Sequence, residues 1–186
     1  MSFIIYLGWG SLLWDHSKLK LKSPWIPSSI KLPLEFSRIS DKGVGRLTLV
    51  IDDKNGTMNN VYFTIAKTNN INEAIKDLKI REKTKSKNIG YINIKNNKYR
   101  IDESLPSYLY KEIYKWGESI HAKAIIWTNL RSNWRQIRDN NYSEEDAVDY
   151  FKNSTDNSKK DIIKYIVKSN KNGINTQFTK YIINKY

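Results

Sequence analysis

Cysteine is absent from all 186 residues. That removes disulfides, thiolate metal sites and cysteine nucleophiles together, and it fits a reducing compartment, so a cytoplasmic protein is expected. Histidine is almost as scarce. His16 and His121 are the only two, they lie far apart, and neither has a carboxylate at metal-ligand spacing. No metal site and no histidine-based nucleophilic triad is therefore expected, and both residues read as structural or surface positions. No apolar run approaches the ~20 residues that a membrane helix needs. The start, Met1 to Leu7, lacks the basic opening and small-residue cleavage site of a secretory leader. The phosphate-cradling Gly-x-x-x-x-Gly-Lys spacing is missing, and so is the third glycine of a dinucleotide fingerprint. The expectation is a soluble protein without repeats or long linkers.

What is present is aromatic and basic. Six Trp and twelve Tyr in a chain 39% hydrophobic supply a substantial core, and the length fits a single domain spanning 1–186. Its core is placed at 3–130, with a helical, Lys-rich extension at 143–186. The net charge is +13. From Lys152 onward eight Lys face two Asp, a surplus of six. Such charge admits nucleic acid or an acidic surface as a partner. No nucleic-acid motif accompanies it, and in a chain rich in Lys, Asn and Ile the preferred reading is generic solubilising charge.

Hydrophobic patterning predicts a mixed α+β domain. Phe3–Leu7 reads as a buried strand that empties into Gly8-Trp9-Gly10-Ser11-Leu12. Residues 23–29 read as a turn-rich connector. Leu32, Leu34 and Phe36 then share one strand face and Glu35 and Ser37 the other, with Pro33 marking a start or an edge. Arg46–Ile51 and Val61–Ala66 are strands joined through Asn55-Gly56, a hairpin signal. Ile71, Ala74, Ile75 and Leu78 switch to helical period, with Asn70 as cap and Glu73 at the capping-box position. Gly90–Ile94 and Tyr99–Ile101 form a second hairpin. A helix carries Leu105, Leu109, Ile113 and Trp116, and Ala122–Thr128 is a strand. Ser143-x-x-Asp146 opens a helix that buries Ala147, Val148, Tyr150 and Phe151. A last helix buries Ile162, Ile163, Ile166 and Val167.

The chemical candidate is Glu82. One i,i+4 step from Leu78 puts it beneath the apolar stripe, at a helix C-terminus, where burial and the macrodipole both disfavour a charged carboxylate. Such a group suits general base, then general acid, work. The competing reading is a solvated Glu in an Arg81-Glu82-Lys83 run whose neighbours project to other faces. The two glycines of the Gly8–Leu12 loop let backbone N–H groups converge on an anion or a developing oxyanion, against the plainer reading of a tight turn beside a packed Trp9. Ser11 is a nucleophile without a visible base. Glu35 and Arg38 read as a buried ion pair rather than as a second acid. Trp127 and Trp134, with Asn129 and Arg131 between them, read as aromatic core.

Leu7-Gly8-Trp9-Gly10-Ser11-Leu12-Leu13-Trp14 resembles the Gly-Tyr-Gly-Ser-Leu loop of the γ-glutamylcyclotransferase-like superfamily. Leu34 to Ser40 and Gly45 to Val50 resemble its next two strands. Arg81-Glu82-Lys83 with Gly90-Tyr91 resembles the segment bearing its catalytic Glu, and Ala124 to Asn129 the closing strand of a bacterial subgroup. The resemblance covers roughly 3–130. It implies a small mixed or antiparallel β-barrel with flanking helices. It implies conversion of a small γ-glutamyl amine or peptide to 5-oxoproline and a free amine, with no metal or organic cofactor. Glu82 is then the general acid/base, and Gly8, Trp9, Gly10, Ser11, Leu12, Arg38 and Tyr91 hold the substrate. The chain departs from the family pattern at Trp9, where the loop has Tyr, and in the Lys-rich insert Lys83–Asn88. The alternative is a non-catalytic ligand- or partner-binding module on the same fold.

Overall fold

The computed structural model describes residues 3–17, 19–40, 45–100 and 105–185. Its strands are β1 (Phe3–Gly8), β2 (Ile26–Ile39), β3 (Leu47–Ile51), β4 (Thr57–Ile65), β5 (Ile89–Asn93), β6 (Lys98–Arg100) and β7 (Ala122–Thr128). Its helices are α1 (Ile71–Glu82), α2 (Ser107–Ser119), α3 (Trp134–Arg138), α4 (Glu144–Asn153), α5 (Asp156–Lys171) and α6 (Gln177–Lys185). Ile101, expected at the end of a strand, lies outside the described residues. No helix among them is long and apolar enough to cross a membrane.

The class is α+β, and the sheet is mixed, with hydrogen-bonded order β3-β2-β4-β1-β7-β5-β6. The expected barrel is not formed: the sheet is open, with β3 and β6 as its edges. The central strands show why. Ile4, Ile5, Tyr6 and Leu7 of β1 and Ala124 to Trp127 of β7 are all fully buried, so both sheet faces are covered and the strands lack the in/out alternation of a barrel wall. The β1–β7 pair is parallel, and its neighbours β1–β4 and β5–β7 are antiparallel.

The Asn55-Gly56 hairpin is also corrected. β2 stands between β3 and β4 in the sheet, so the two strands flanking the turn do not pair. The Asp52 carboxylate instead gathers Lys54 N–H, Asn55 N–H and the Asn55 amide at 3.0–3.2 Å, an Asx-type turn. β2 begins at Ile26, inside the segment read as a connector. Pro33 therefore sits within a strand, just before the first β2–β3 pair, Leu34–Ile51, and its carbonyl accepts Asp52 N–H at 2.9 Å.

Two compact units share this chain: Met1–Lys31 with Asn60–Leu130, and Leu32–Asn59 with Arg131–Tyr186. In the first, Ala74, Ile75 and Leu78 of α1 pack on Ile4, Tyr6, Ala124 and Ile126, and the Tyr6 hydroxyl donates to the Ala74 carbonyl at 3.2 Å. Ile125 points the other way, beneath Gly117 of α2. That unit is a sheet with a helix on each face, each helix docked through its predicted stripe.

In the second unit, Phe36 meets the rings of Tyr165 and Phe178 at 5.3 and 6.0 Å. Ser143 caps α4 through Asp146 N–H at 3.1 Å, as its spacing predicts. On α5 the buried face is Ile162, Tyr165 and Ile166, while Val167 is exposed, because an i, i+3, i+4 stripe running from Ile162 selects Tyr165 and Ile166 and leaves Val167 outside. Helices α3 and α6 were not expected. α6 opens on a Thr176–Thr179 exchange, each N–H donating to the other's hydroxyl at 2.6 and 3.2 Å. This works as a capping box with Thr in place of Glu or Gln.

Candidate functional site

The site is built by the two ends of one layer in the first unit. Helix α1 starts on Asn70, whose side chain accepts Asn72 and Glu73 N–H groups at 2.9 and 3.4 Å. Glu73 does not close the box directly. Thr68 mediates, donating to Glu73 at 2.5 Å and accepting Asn70 N–H at 3.1 Å. The helix ends at Lys83, which adopts the left-handed conformation (φ 50°) while its N–H and that of Thr84 return to Ile80 and Lys79, a Schellman-type stop. Arg81 and Glu82 occupy the last turn before that stop.

The Glu82 side chain is 15% exposed and Arg81 only 9%. Arg81 does not project to another face, as its place in the sequence suggested. Its guanidinium folds along the helix end and contacts Glu82 Oε1 at 2.6 Å. The same group donates to Ser11 Oγ at 3.2 Å and to the Asp15 carbonyl at 2.8 and 2.5 Å. Arg81 is the residue that sequence reasoning missed. Its planar fork of donors serves three acceptors at once, which a flexible ammonium does less well. The signal was its adjacency to Glu82, set aside because neighbours on a helix do not face each other; a long side chain at a helix end escapes that rule.

The loop supplies the other half. β1 runs to Gly8, Trp9 is extended, and Gly10 takes φ +56°, a conformation that only glycine adopts without strain. Gly10–Leu13 then forms a 3-10 turn. Trp9 and Leu12 are buried. The Trp25 ring lies directly over Gly8: a Cβ there would sit 2.6 Å from the indole. The structure thus brings together Ser11, Arg81 and Glu82 at the end of β1. Tyr91 stays in the same layer, packed against the α1 cluster with the Arg100 guanidinium 5.3 Å from its ring centre. Arg38 belongs to the second unit and donates to the Arg131 carbonyl at 2.9 Å.

The second unit holds a different carboxylate. Glu35 is 1% exposed and Ser37 is fully buried, so the strand face read as polar is covered too. The expected Glu35–Arg38 ion pair is not formed. Glu35 Oε1 accepts Phe36 N–H at 2.7 Å, and Oε2 has no hydrogen-bond partner. The register against β3 shifts between Glu35 and Arg38, and the Arg38 guanidinium is instead turned to the Arg131 carbonyl. Burial pushes the Glu35 carboxyl up to about 7, assisted by the Asp52 charge and opposed by Thr176 and by the Phe36 and Gln177 N–H groups. Trp127 and Trp134 are core, their indole N–H groups bonded to Asn129 and Asn140 at 3.2 and 3.1 Å. His16 and His121 are exposed.

No protein family, curated protein or solved structure matches this chain.

Proposed function

We propose that Ser11, Arg81 and Glu82 at the end of β1 form a small acid/base site acting on a γ-glutamyl amine or peptide. The observation that carries the reading is the Arg81 bridge, 2.6 Å to Glu82 and 3.2 Å to Ser11, which joins the two features singled out independently in the sequence. In the proposed reaction Glu82 accepts a proton from the substrate α-ammonium. The freed nitrogen attacks the γ-carbonyl carbon and a five-membered lactam closes. The bond from that carbon to the departing nitrogen breaks as Glu82 gives its proton to the leaving amine, and the ring nitrogen releases its extra proton to solvent, leaving the lactam N–H. Backbone N–H groups of Gly8–Leu12 steady the oxyanion. Arg81 is a positioning residue, fixing the carboxylate relative to the loop. The choice of substrate class rests on the resemblance to γ-glutamylcyclotransferase-like proteins.

The non-catalytic module is kept as a second reading because of Trp25, whose ring covers Gly8 and fills space that a substrate needs beside the loop. The test is release of 5-oxoproline from a panel of γ-glutamyl amines and peptides, glutathione included, by wild type and Glu82→Gln. Activity in the wild type that the variant loses supports the acid/base site. Equal activity in both removes Glu82 as the base. Silence of the wild type on the whole panel moves the reading to the binding module.

A further inference from the structure

The second unit carries a buried acid that the proposed chemistry does not use. Glu35 Oε2 and the Tyr142 hydroxyl are both covered from solvent, and neither has a partner at hydrogen-bond geometry. They are neighbours: burial raises the tyrosine far above its ordinary range, and the nearby Glu35 carboxyl raises it further. Tyr142 lies in the connection 139–143 between α3 and α4, its ring set edge-on to Trp134 at 5.1 Å. The groups facing the pair come from every side. Asp52, at the end of β3, bears on both residues, and Glu144, at the start of α4, on Tyr142. Thr176 and the Gln177 N–H approach Glu35 from the start of α6, and Phe36 N–H from its own strand. Asp52 and Glu144 are both acidic.

A carboxylate formed here is buried and has the Asp52 charge beside it, so it is costly in this position. A protonated carboxyl costs little: Oε1 keeps the Phe36 N–H, and the proton on Oε2 can be given to the Tyr142 oxygen. We propose that Glu35 and Tyr142 form a proton-operated latch: Glu35 holds a proton in the folded protein, bonded to the Tyr142 hydroxyl, and its loss loosens the connection 139–143 from strand β2. The lost proton goes to solvent, and the carboxylate reaches water by opening that connection rather than by unfolding the unit that holds it.

The test is amide hydrogen exchange of the full chain at pH 6 and pH 8.5, corrected for intrinsic exchange rates. Protection over 139–143 should fall about tenfold or more at the higher pH in wild type, following the tenfold-per-unit linkage of a titrating group. It should be independent of pH in Glu35→Gln, which cannot ionise. Protection that is unchanged with pH in the wild type, or that falls equally in Glu35→Gln, overturns the latch. Should Glu35→Gln fail to fold, Tyr142→Phe serves. It removes the acceptor, so protection at pH 6 should already be reduced to the wild-type value at pH 8.5; full protection at pH 6 counts against the proposal. A carboxyl-labelled NMR titration of wild type must also show one glutamate midpoint near neutrality that moves in Tyr142→Phe. Its absence overturns the protonation itself.

Discussion

The two compact units each hold one conspicuous glutamate, and the two are handled in opposite ways. Glu82 sits at the end of α1 with its side chain 15% exposed and an arginine 2.6 Å away. Glu35 lies within β2, 1% exposed, with one oxygen on a backbone N–H and the other on nothing. The first is paired with an arginine that also reaches the Ser11 hydroxyl. The second is placed where a charge is penalised. The difference teaches that inwardness by itself does not mark a catalytic acid. What surrounds the carboxylate decides whether it is held as a reagent or kept neutral as part of the interior.

The sharpest way to break the comparison is Glu82→Gln. Under the acid/base proposal it lowers turnover by about 10²–10⁴-fold, while Tm moves by only a few degrees because the amide still accepts from Arg81. A large loss of Tm would instead make Glu82 a structural hub. Next is the pH dependence of stability. Glu35 rises from 4.5 to about 7 on folding. Its contribution is therefore fully present below pH 4.5 and is lost as pH climbs through 7. Denaturant unfolding of wild type should lose about 3 kcal/mol between pH 5 and pH 9 from this group, at roughly 1.4 kcal/mol per unit, and Glu35→Gln should lose that component of the slope. A variant slope equal to that of wild type would remove Glu35 as the group that titrates on folding.

Arg81→Lys comes third. The ammonium cannot serve Glu82, Ser11 and the Asp15 carbonyl together, so stability should fall by about 2 kcal/mol, and, if the proposed site is right, turnover should fall with it. Retained stability would mean that the bridge is dispensable. The smallest effect is expected from neutralising Lys159, Lys160, Lys164 and Lys168. Lys160 and Lys164 are exposed, and stability should move by about 0.5 kcal/mol or less with no effect on any small-molecule turnover. Loss of turnover with an intact fold would place α5 in the site.

The legible parts of this protein were those with a local physical cause. Phe3–Leu7 and Ala122–Thr128 are continuous apolar runs and became the doubly covered centre of the sheet. Asn70 and Ser143 cap the helices that their spacing announced, and the Ala74–Leu78 stripe docks as its period requires. The illegible parts depended on partners distant in sequence. The Asn55-Gly56 turn has hairpin chemistry, yet whether its flanking strands pair depends on β2, which intervenes. Glu35 and Ser37 alternate with apolar neighbours and read as an outer face, yet both are buried, with the start of α6 and Asp52 brought up to Glu35 from elsewhere in the chain.

By itself, then, the sequence determined where the chain must be helical or extended, which stripes must be buried, and that Gly8–Leu12 and Glu82 were worth watching, because propensity, periodicity and capping act within a few residues. Only the tertiary structure decided that the sheet stays open. It also decided that Arg81 couples Ser11 to Glu82 across 70 positions and that Glu35 is buried on the Phe36 N–H instead of pairing with Arg38. Those outcomes depend on strand order and on the reach of single side chains, and they arise only when segments far apart in the chain compete for the same space.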